Sequence, residues 1–353
     1  MKNDQIFKII GALSKRLSIK VYVVGGYVRD QLLKRDGTKD IDVVVLGGGI
    51  KFAIAFAETL GEDAGLLVPF EDFDTARFVF TNEMEDKKVV ARVEVEFAGA
   101  RKEAYQSESR KPKVVSATLQ EDLSRRDFTV NAMAREILPD GSLGEIVDPY
   151  GGQKDLKKRL LRTPLDSNET FSEDPLRTMR AARFASQLIF EIDQSTYMAM
   201  KRNAPRLKIV SAERITEELM KLLASPKPSI GLWILYKTEL FDQFLPEVSD
   251  LAGVEEVKGY THKENLSHTF AVVDNIAEQS DKPILRFAGL MHDIAKSVTK
   301  EFVNGRGWVF DMHEHLGRKM VRIIGRRLHM SKKDIEYVAK LVRWHLQPIV
   351  LMD

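Results

Sequence analysis

The 353-residue chain contains no cysteine, which excludes disulfides, a thiol nucleophile and any cysteine-ligated metal. Histidine is missing from the first 261 residues: all seven (His262, His268, His292, His313, His315, His329, His345) lie between positions 262 and 345. Chemistry in the N-terminal two thirds must therefore run on carboxylates, basic side chains and metal ions. No apolar run reaches the roughly 18 residues of a membrane-spanning helix. The start, MKNDQIFKIIGALSKRL, lacks the unbroken apolar stretch of a signal peptide. These absences predict a soluble, cytoplasmic protein with no membrane partner. A dominant charge is also lacking. Lys+Arg 54 against Asp+Glu 52 leaves a net +2, so a polyanionic partner must be sought in local patches. With 44% apolar and 30% charged residues, the chain has material for two or three packed domains and does not read as disordered.

What is present divides the chain. VYVV (21–24), IDVVVL (41–46), ARFVF (76–80) and the alternating VVARVEVEF (89–97) read as strands, and YVRDQLLKR, after a Gly-Gly turn, as a helix. From about residue 166, helical patterns dominate: PLRTMRAARFASQL, RITEELMKLLA and SIGLWILYKTEL. ASPKPS (224–229) reads as a break between helical subdomains. A last helical unit from about 256 carries every histidine. The chain stops at Asp353, eight residues after His345, as though a longer pattern were interrupted.

Asp40 and Asp42 flank one residue on an expected strand, so period-two geometry puts both carboxylates on one face and Ile41 on the other. Two hard oxygen ligands side by side suit Mg²⁺ with open positions for water and substrate phosphates. A third carboxylate on a neighbouring strand would complete a phosphoryl-transfer site, and Glu94 and Glu96 of RVEVEF are the candidates. An isolated D-x-D equally fits a solvated strand end. Upstream, Gly25 and Gly26 precede a helix start containing Arg29, where backbone N–H groups can approach a phosphate closely. Gly47-Gly48-Gly49 has no charged neighbour in sequence and reads as a flexible turn. Further on, Arg125-Arg126-Asp127 joins a planar phosphate-binding fork to an acceptor for sugar hydroxyls; an isolated RRD is more often a surface ion-pair cluster. Arg177, Arg180 and Arg183 recur every three residues along one helical face and need an anion or acidic neighbours opposite. Asp174, before Pro175, fits a helix N-cap.

The blocks GGYVRDQLL…KDIDVVVL, DLSRRDFTVNAMA, DPYGGQKDL and EDPLRTMRAARFA, in that order across roughly residues 20–185, resemble the bacterial tRNA CCA-adding nucleotidyltransferases and the closely related bacterial poly(A) polymerases. RITEELMKLL fits a fifth block. The resemblance implies an α+β fold: a polymerase-β-like nucleotidyltransferase head (mixed sheet with helices), an all-helical neck and body, and a helical HD domain. The divisions expected are residues 1–165, 166–255 and 256–353. It implies Asp40 and Asp42 as the Mg²⁺-binding catalytic pair, with Glu96 rather than Glu94 as third carboxylate because Glu96 lies five residues before Arg101. It places Gly25, Gly26, Arg29, Arg126, Asp127 and Asn131 at the nucleotide. Asp174 and Arg177, with Arg180 and Arg183, would read the Watson–Crick edge of the incoming base in place of a template.

NLSHTF, GLMHDIAK, HEHLG and VRWHL resemble the HD phosphohydrolase pattern. His268, His292, Asp293, His315 and His345 are the implied ligands of a second divalent transition metal, since His and carboxylate donors suit such an ion better than Mg²⁺ alone. Hydrolytic activity there is left open. Residues 151–215 carry a local +5 and residues 316–345 a local +7, fitting either contact with RNA phosphate or a solvated face. The resemblance thus implies an enzyme that adds CCA to tRNA from CTP and ATP. Alternatives within the resemblance are a poly(A) polymerase and an enzyme adding only C or only A. A rival of another class is an HD hydrolase with a degenerate RNA-binding head, against which intact Asp40, Asp42, Arg126 and Arg177 argue. Oligomeric state is not legible.

Overall fold

The computed structural model describes residues 3–35, 40–61, 64–80, 93–104, 113–257, 260–261 and 264–347. His262, Asp353 and the VVAR start of the alternating stretch lie outside them. The chain divides into two compact units, Met1–Lys158 with Arg162–Leu165, and Arg159–Leu161 with Asp166–Asp353.

The first unit runs α1 (Asn3–Leu17), β1 (Val21–Val24), α2 (Gly26–Leu32), β2 (Asp40–Val45), α3 (Gly49–Leu60), β3 (Gly65–Phe70), β4 (Thr75–Phe80), β5 (Glu94–Gly99), β6 (Arg101–Ala104), β7 (Lys113–Ser116), α4 (Leu119–Ser124), β8 (Ala134–Ile137), β9 (Leu143–Val147) and α5 (Gly152–Lys158). Seven strands form a mixed sheet in the order β3-β4-β5-β2-β1-β8-β9. The β2–β5 pair is parallel and its other neighbours are antiparallel. Alternation on β2 decides which chemistry faces where. Ile41, Val43 and Val45 enter a core with Ile6, Phe7 and Ile10 of α1 and Phe52 and Phe56 of α3, together with Phe78, Val95 and Phe97. Asp40, Asp42 and Val44 take the other face, where Val44 joins a smaller cluster with Val24, Leu123 and Ala134.

Gly49 is held rather than loose. Its N–H and that of Ile50 donate to Asp74 at 3.0 and 3.1 Å, giving α3 a carboxylate cap from 25 residues away. The charged partner that the local sequence lacked is supplied by the sheet, which corrects the reading of a flexible turn.

The second unit contains α6 (Ser167–Glu173), α7 (Leu176–Leu188), α8 (Gln194–Asn203), α9 (Ala212–Leu223), α10 (Pro228–Lys237), α11 (Phe241–Phe244), α12 (Pro246–Ser249), α13 (Asn265–Gln279), α14 (Pro283–Met291), α15 (Lys296–Thr299), α16 (His313–Arg327) and α17 (Lys332–Trp344), with short two-stranded ribbons between them. ASPKPS separates α9 from α10 within this unit. Buried Arg286 of α14 donates to Leu223 O and Ser225 O at 2.6 and 2.8 Å, satisfying carbonyls where α9 ends.

Candidate active site and metal centre

The head site is assembled by strand register. Parallel pairing sets Asp40 beside Glu94 and Asp42 beside Glu96, so four carboxylates share the face opposite buried Ile41 and Val95. β4 adds Arg77, which stands opposite Glu96 and reaches Glu96 at 3.1 Å and Glu94 at 3.5 Å. Local sequence gives no hint of this residue, because the pairing of β4 with β5 brings it in from 17–19 positions away. Burial alone would lower the Arg77 pKa, but hydrogen bonding and charge from Glu96, with Glu94 and Asp40, raise it. One cation therefore sits within the acidic face. Asp40 and Asp42 remain exposed, and their hard anionic oxygens fit Mg²⁺, leaving an open side for water and phosphate oxygens.

Beside this face stands the turn after β1. Gly25 has φ +66°, and a Cβ there would meet Arg126 Nη1 at 2.9 Å, with Asn131 O at 3.7 Å and Asp42 Oδ2 at 3.8 Å. Glycine is thus demanded twice, by backbone sign and by crowding, and the same crowding shows that Arg126, Asn131 and Asp42 converge on one point. Arg126 shares buried Asp122 with Arg125, at 3.2 and 3.0 Å. Burial would raise the Asp122 pKa, yet the two guanidinium groups hold it below the usual carboxylate value.

Arg29, which the resemblance places at the nucleotide, is engaged within the chain. It is 5% exposed, its Nε and Nη2 donate to Asp30 at 2.8 and 2.9 Å, and its Nη1 donates to Asn131 Oδ1 at 2.7 Å. Asn131 Nδ2 in turn donates to Asp127 Oδ1 at 3.0 Å. Arg29 is therefore a brace that sets the Asn131 amide and, through it, the Asp127 carboxylate. The DPYGGQKDL block supports the same turn. Buried Asp155 accepts from Thr129 Oγ1 at 2.7 Å and from Arg162 Nη2 at 2.9 Å, while Asp148 accepts from Gly152 N and Gln153 N at 2.6 and 2.9 Å.

In the second unit, Asp174 caps α7: its Oδ1 accepts from Leu176 N at 3.2 Å, and Arg214 Nη2 lies 3.6 Å from Oδ2. Arg177 lies 3.9 Å from Glu173. The acid that the arginine row required is Glu218, buried in the RITEELMKLL block. Arg183 Nε meets it at 2.6 Å and Arg180 Nη1 at 3.9 Å, and the Arg183 guanidinium also lies 4.0 Å from the Phe184 ring centroid. Arg183 thus packs into the helix interface, whereas Arg180 is more open at 36% side-chain exposure against 11%.

A separate cluster forms around Asp293, which is 2% exposed. Nε2 of His292, His313, His345 and His268 lies 3.0, 3.3, 3.7 and 3.8 Å from its carboxylate oxygens. His315 belongs to neither of the two potential metal-holding groups among the described residues, His268–His292–Asp293 and Asp293–His313–His345. His313, two residues earlier at the start of α16, occupies the place that sequence assigned to His315. The ring orientations are set by backbone. Nδ1 of His292, His313 and His345 contacts the carbonyl three residues upstream, Gly289 O, Phe310 O and Val342 O, at 2.7, 2.7 and 2.8 Å.

A carbonyl can only accept, so each Nδ1 carries the proton and, in the neutral ring, each Nε2 presents a lone pair. Lone pairs turned on a carboxylate repel unless a cation or proton joins them. Asp293 Oδ2 has no well-angled hydrogen bond although Lys296 Nζ stands 2.8 Å away. Burial would raise the Asp293 pKa, but the histidines and Lys296 hold it far below the usual carboxylate range. Burial would also lower His313, yet contact with Asp293 raises it, whereas burial lowers His345. The donor set fits a divalent ion that accepts imidazole and carboxylate.

Fold and sites together define a nucleotidyltransferase head followed by a helical HD unit. The poly A polymerase head domain model matches residues 21–162, the probable RNA and SrmB-binding site of polymerase A matches 189–251, and the HD domain matches 265–352. The multifunctional CCA protein of Vibrio parahaemolyticus is 32% identical over 335 residues, spanning 93% of this chain and 75% of its own. That of Burkholderia multivorans is 36% identical over 332 residues with the same coverages. Among solved structures, a tRNA-processing enzyme in its apo form superposes with TM-score 0.66 at 25% identity, covering 98% of this chain and 78% of the other. A Thermotoga maritima CCA-adding enzyme complexed with tRNA-CCA shares the fold with TM-score 0.64 at 23% identity, with coverages of 99% and 71%. The chain belongs to the multifunctional CCA protein family.

Proposed function

We propose that this chain adds CCA to the 3′ end of tRNA, taking CTP and then ATP, with chemistry centred on Asp40 and Asp42. The observation that carries the reading is the convergence of Asp42, Arg126 and Asn131 on Gly25. It sets a carboxylate for metal beside a guanidinium for phosphate and a turn that orients a sugar acceptor. Curated relatives named for CCA activity, and neighbours solved with tRNA, CTP and ATP, support it.

Asp40 and Asp42, with Glu96 as third carboxylate, would hold Mg²⁺. When bound, such an ion lowers the pKa of an attacking hydroxyl and offsets charge on departing pyrophosphate. Arg126, oriented by Asp122, presents a planar donor fork to the triphosphate. Asp127, held by Asn131 and Arg29, accepts from the ribose. Asp174 accepts from the exocyclic amino group that C and A both carry, and Arg177 donates to ring acceptors. Converting Arg177 to Ala should relax discrimination of CTP and ATP against UTP and GTP more than it weakens triphosphate binding. Unchanged selectivity across the four nucleotides would remove the protein-template reading.

The Asp293 cluster supports a second reading of the same chain. With His268, His292, His313 and His345 it would bind a divalent transition metal, and phosphoester hydrolysis is the reaction such a site serves. The tautomers fixed by Gly289, Phe310 and Val342 favour this over a purely structural histidine cluster. Titration with Ni²⁺ or Mn²⁺ should show a site that is lost in Asp293→Asn; retention of that site would overturn it.

A further inference from the structure

We propose that the outer face of the α16–α17 hairpin is a contact surface for the backbone and unpaired bases of RNA. The inference rests on the reading of this chain as an RNA-acting enzyme, but on a region to which that reading assigns no substrate contact. The hairpin's acids are already engaged. Glu314 pairs with Arg343 at 3.2 Å, Glu336 with Arg322 at 2.6 Å, and Asp334 closes the start of α17 with Ser331.

Apart from Ile323 and the paired Glu336, the large side chains that point outward are cationic or aromatic. Lys319 and Arg326 on α16, and Lys333 and Lys340 on α17, are exposed, and none has an acidic partner among the described residues. Each pair is seven residues apart, about 10 Å along its helix. Residues 333, 337, 340 and 344 follow the helical repeat, so Tyr337 and Trp344, 43% and 48% exposed, interleave with the lysines on one stripe. Arg343, held by Glu314, lies 4.6 Å from the Trp344 ring centroid and orders the indole.

Glu336 stands one turn before Lys340 but is held by Arg322, and two large aromatics, Tyr337 and Trp344, stay exposed beside the lysines. The charge balance points the same way. With +5 in residues 151–215 and +7 in residues 316–345, a chain of net +2 is −10 everywhere else. A polyanion is therefore repelled by most of the molecule and drawn to these two segments. Cations that track a backbone, interleaved with exposed rings on which bases stack, form a surface for RNA.

The test uses the full chain carrying Lys319→Glu, Arg326→Glu, Lys333→Glu and Lys340→Glu, with the fourfold Gln variant guarding against misfolding. Binding of a tRNA transcript is measured from 50 to 300 mM KCl, alongside thermal unfolding. Removing four phosphate contacts should flatten the slope of log K against log salt by about 3 and weaken binding at low salt at least about tenfold. In extension assays, KM for RNA should rise while kcat at saturating RNA is kept. Tyr337→Ala with Trp344→Ala should weaken binding about tenfold with little change in slope. A folded charge variant with wild-type affinity and slope would overturn the proposal. So would loss of binding to anionic phospholipid vesicles with RNA binding intact. A wild-type chain that binds tRNA through this face but never extends it would instead overturn the CCA-adding reading and leave the surface standing.

Discussion

On the head sheet, Asp40 and Asp42 lie exposed and are brought into line by strand register, while the neighbouring glutamates are engaged by Arg77. In the helical unit, Asp293 is almost fully buried, and His292, His313 and His345 around it have their rings fixed by backbone carbonyls. The first arrangement is open to solvent and leaves room for groups that a ligand would bring; the second is assembled in advance of any ligand. The difference follows from the elements that carry them. A strand end offers carboxylates at two-residue intervals facing solvent, whereas helices crossing in a bundle bring side chains from four separate segments to one enclosed point.

The largest effects should come from removing the acid at each centre. Asp42→Ala should abolish nucleotide transfer while the fold, read by circular dichroism and thermal unfolding, persists. Transfer at the wild-type rate would sink the assignment of the head. Asp293→Asn should weaken transition-metal binding by at least about 100-fold, measured by calorimetry on the whole chain. An unchanged affinity would make the buried cluster structural.

A smaller effect would sharpen the contrast. Arg77→Met leaves Glu94 and Glu96 without their guanidinium, so Mn²⁺ should bind the head more tightly, by several-fold, in an Asp293→Asn background. Arg77→Lys should restore most of the difference. Identical Mn²⁺ affinity in all three would show that Arg77 does not compete with a cation on this face.

The smallest effect concerns acid. The Asp122 pKa is depressed in the folded state, so its ion pairs stabilise the head above the ordinary carboxylate pKa. That contribution is lost as pH falls from about 4 through the depressed value. Asp122→Asn should lower stability at pH 7 and flatten the acid limb of stability against pH. A limb as steep as wild type would assign acid sensitivity elsewhere.

Much of this was legible in sequence because it depended on short-range periodicity. Ile41 between two aspartates predicted the split of faces, and the Gly25-Gly26 turn announced a helix start. What sequence hid were partners supplied by folding. Arg77 arrives by strand pairing, Asp74 caps a helix from 25 residues away, and Glu218 neutralises Arg183, 35 positions earlier. The contact of Arg29 with Asn131 was hidden as well, since the two lie 102 positions apart. The exchange of His315 for His313 has a similar cause. Two histidines at i and i+2 point to different sides of a helix, and only the packing of α16 selects which one meets Asp293.

On the proposed reading, an exposed carboxylate pair and a base-reading helix add a defined trinucleotide without a template. The most direct test supplies Mg²⁺, CTP and ATP with tRNA transcripts ending at the discriminator base, after C, or after CC, and resolves products at single-nucleotide length. Addition should incorporate C before A and stop once CCA is complete on all three. A ladder of A residues, A added only to the CC-ending transcript, or no extension at all would contradict it.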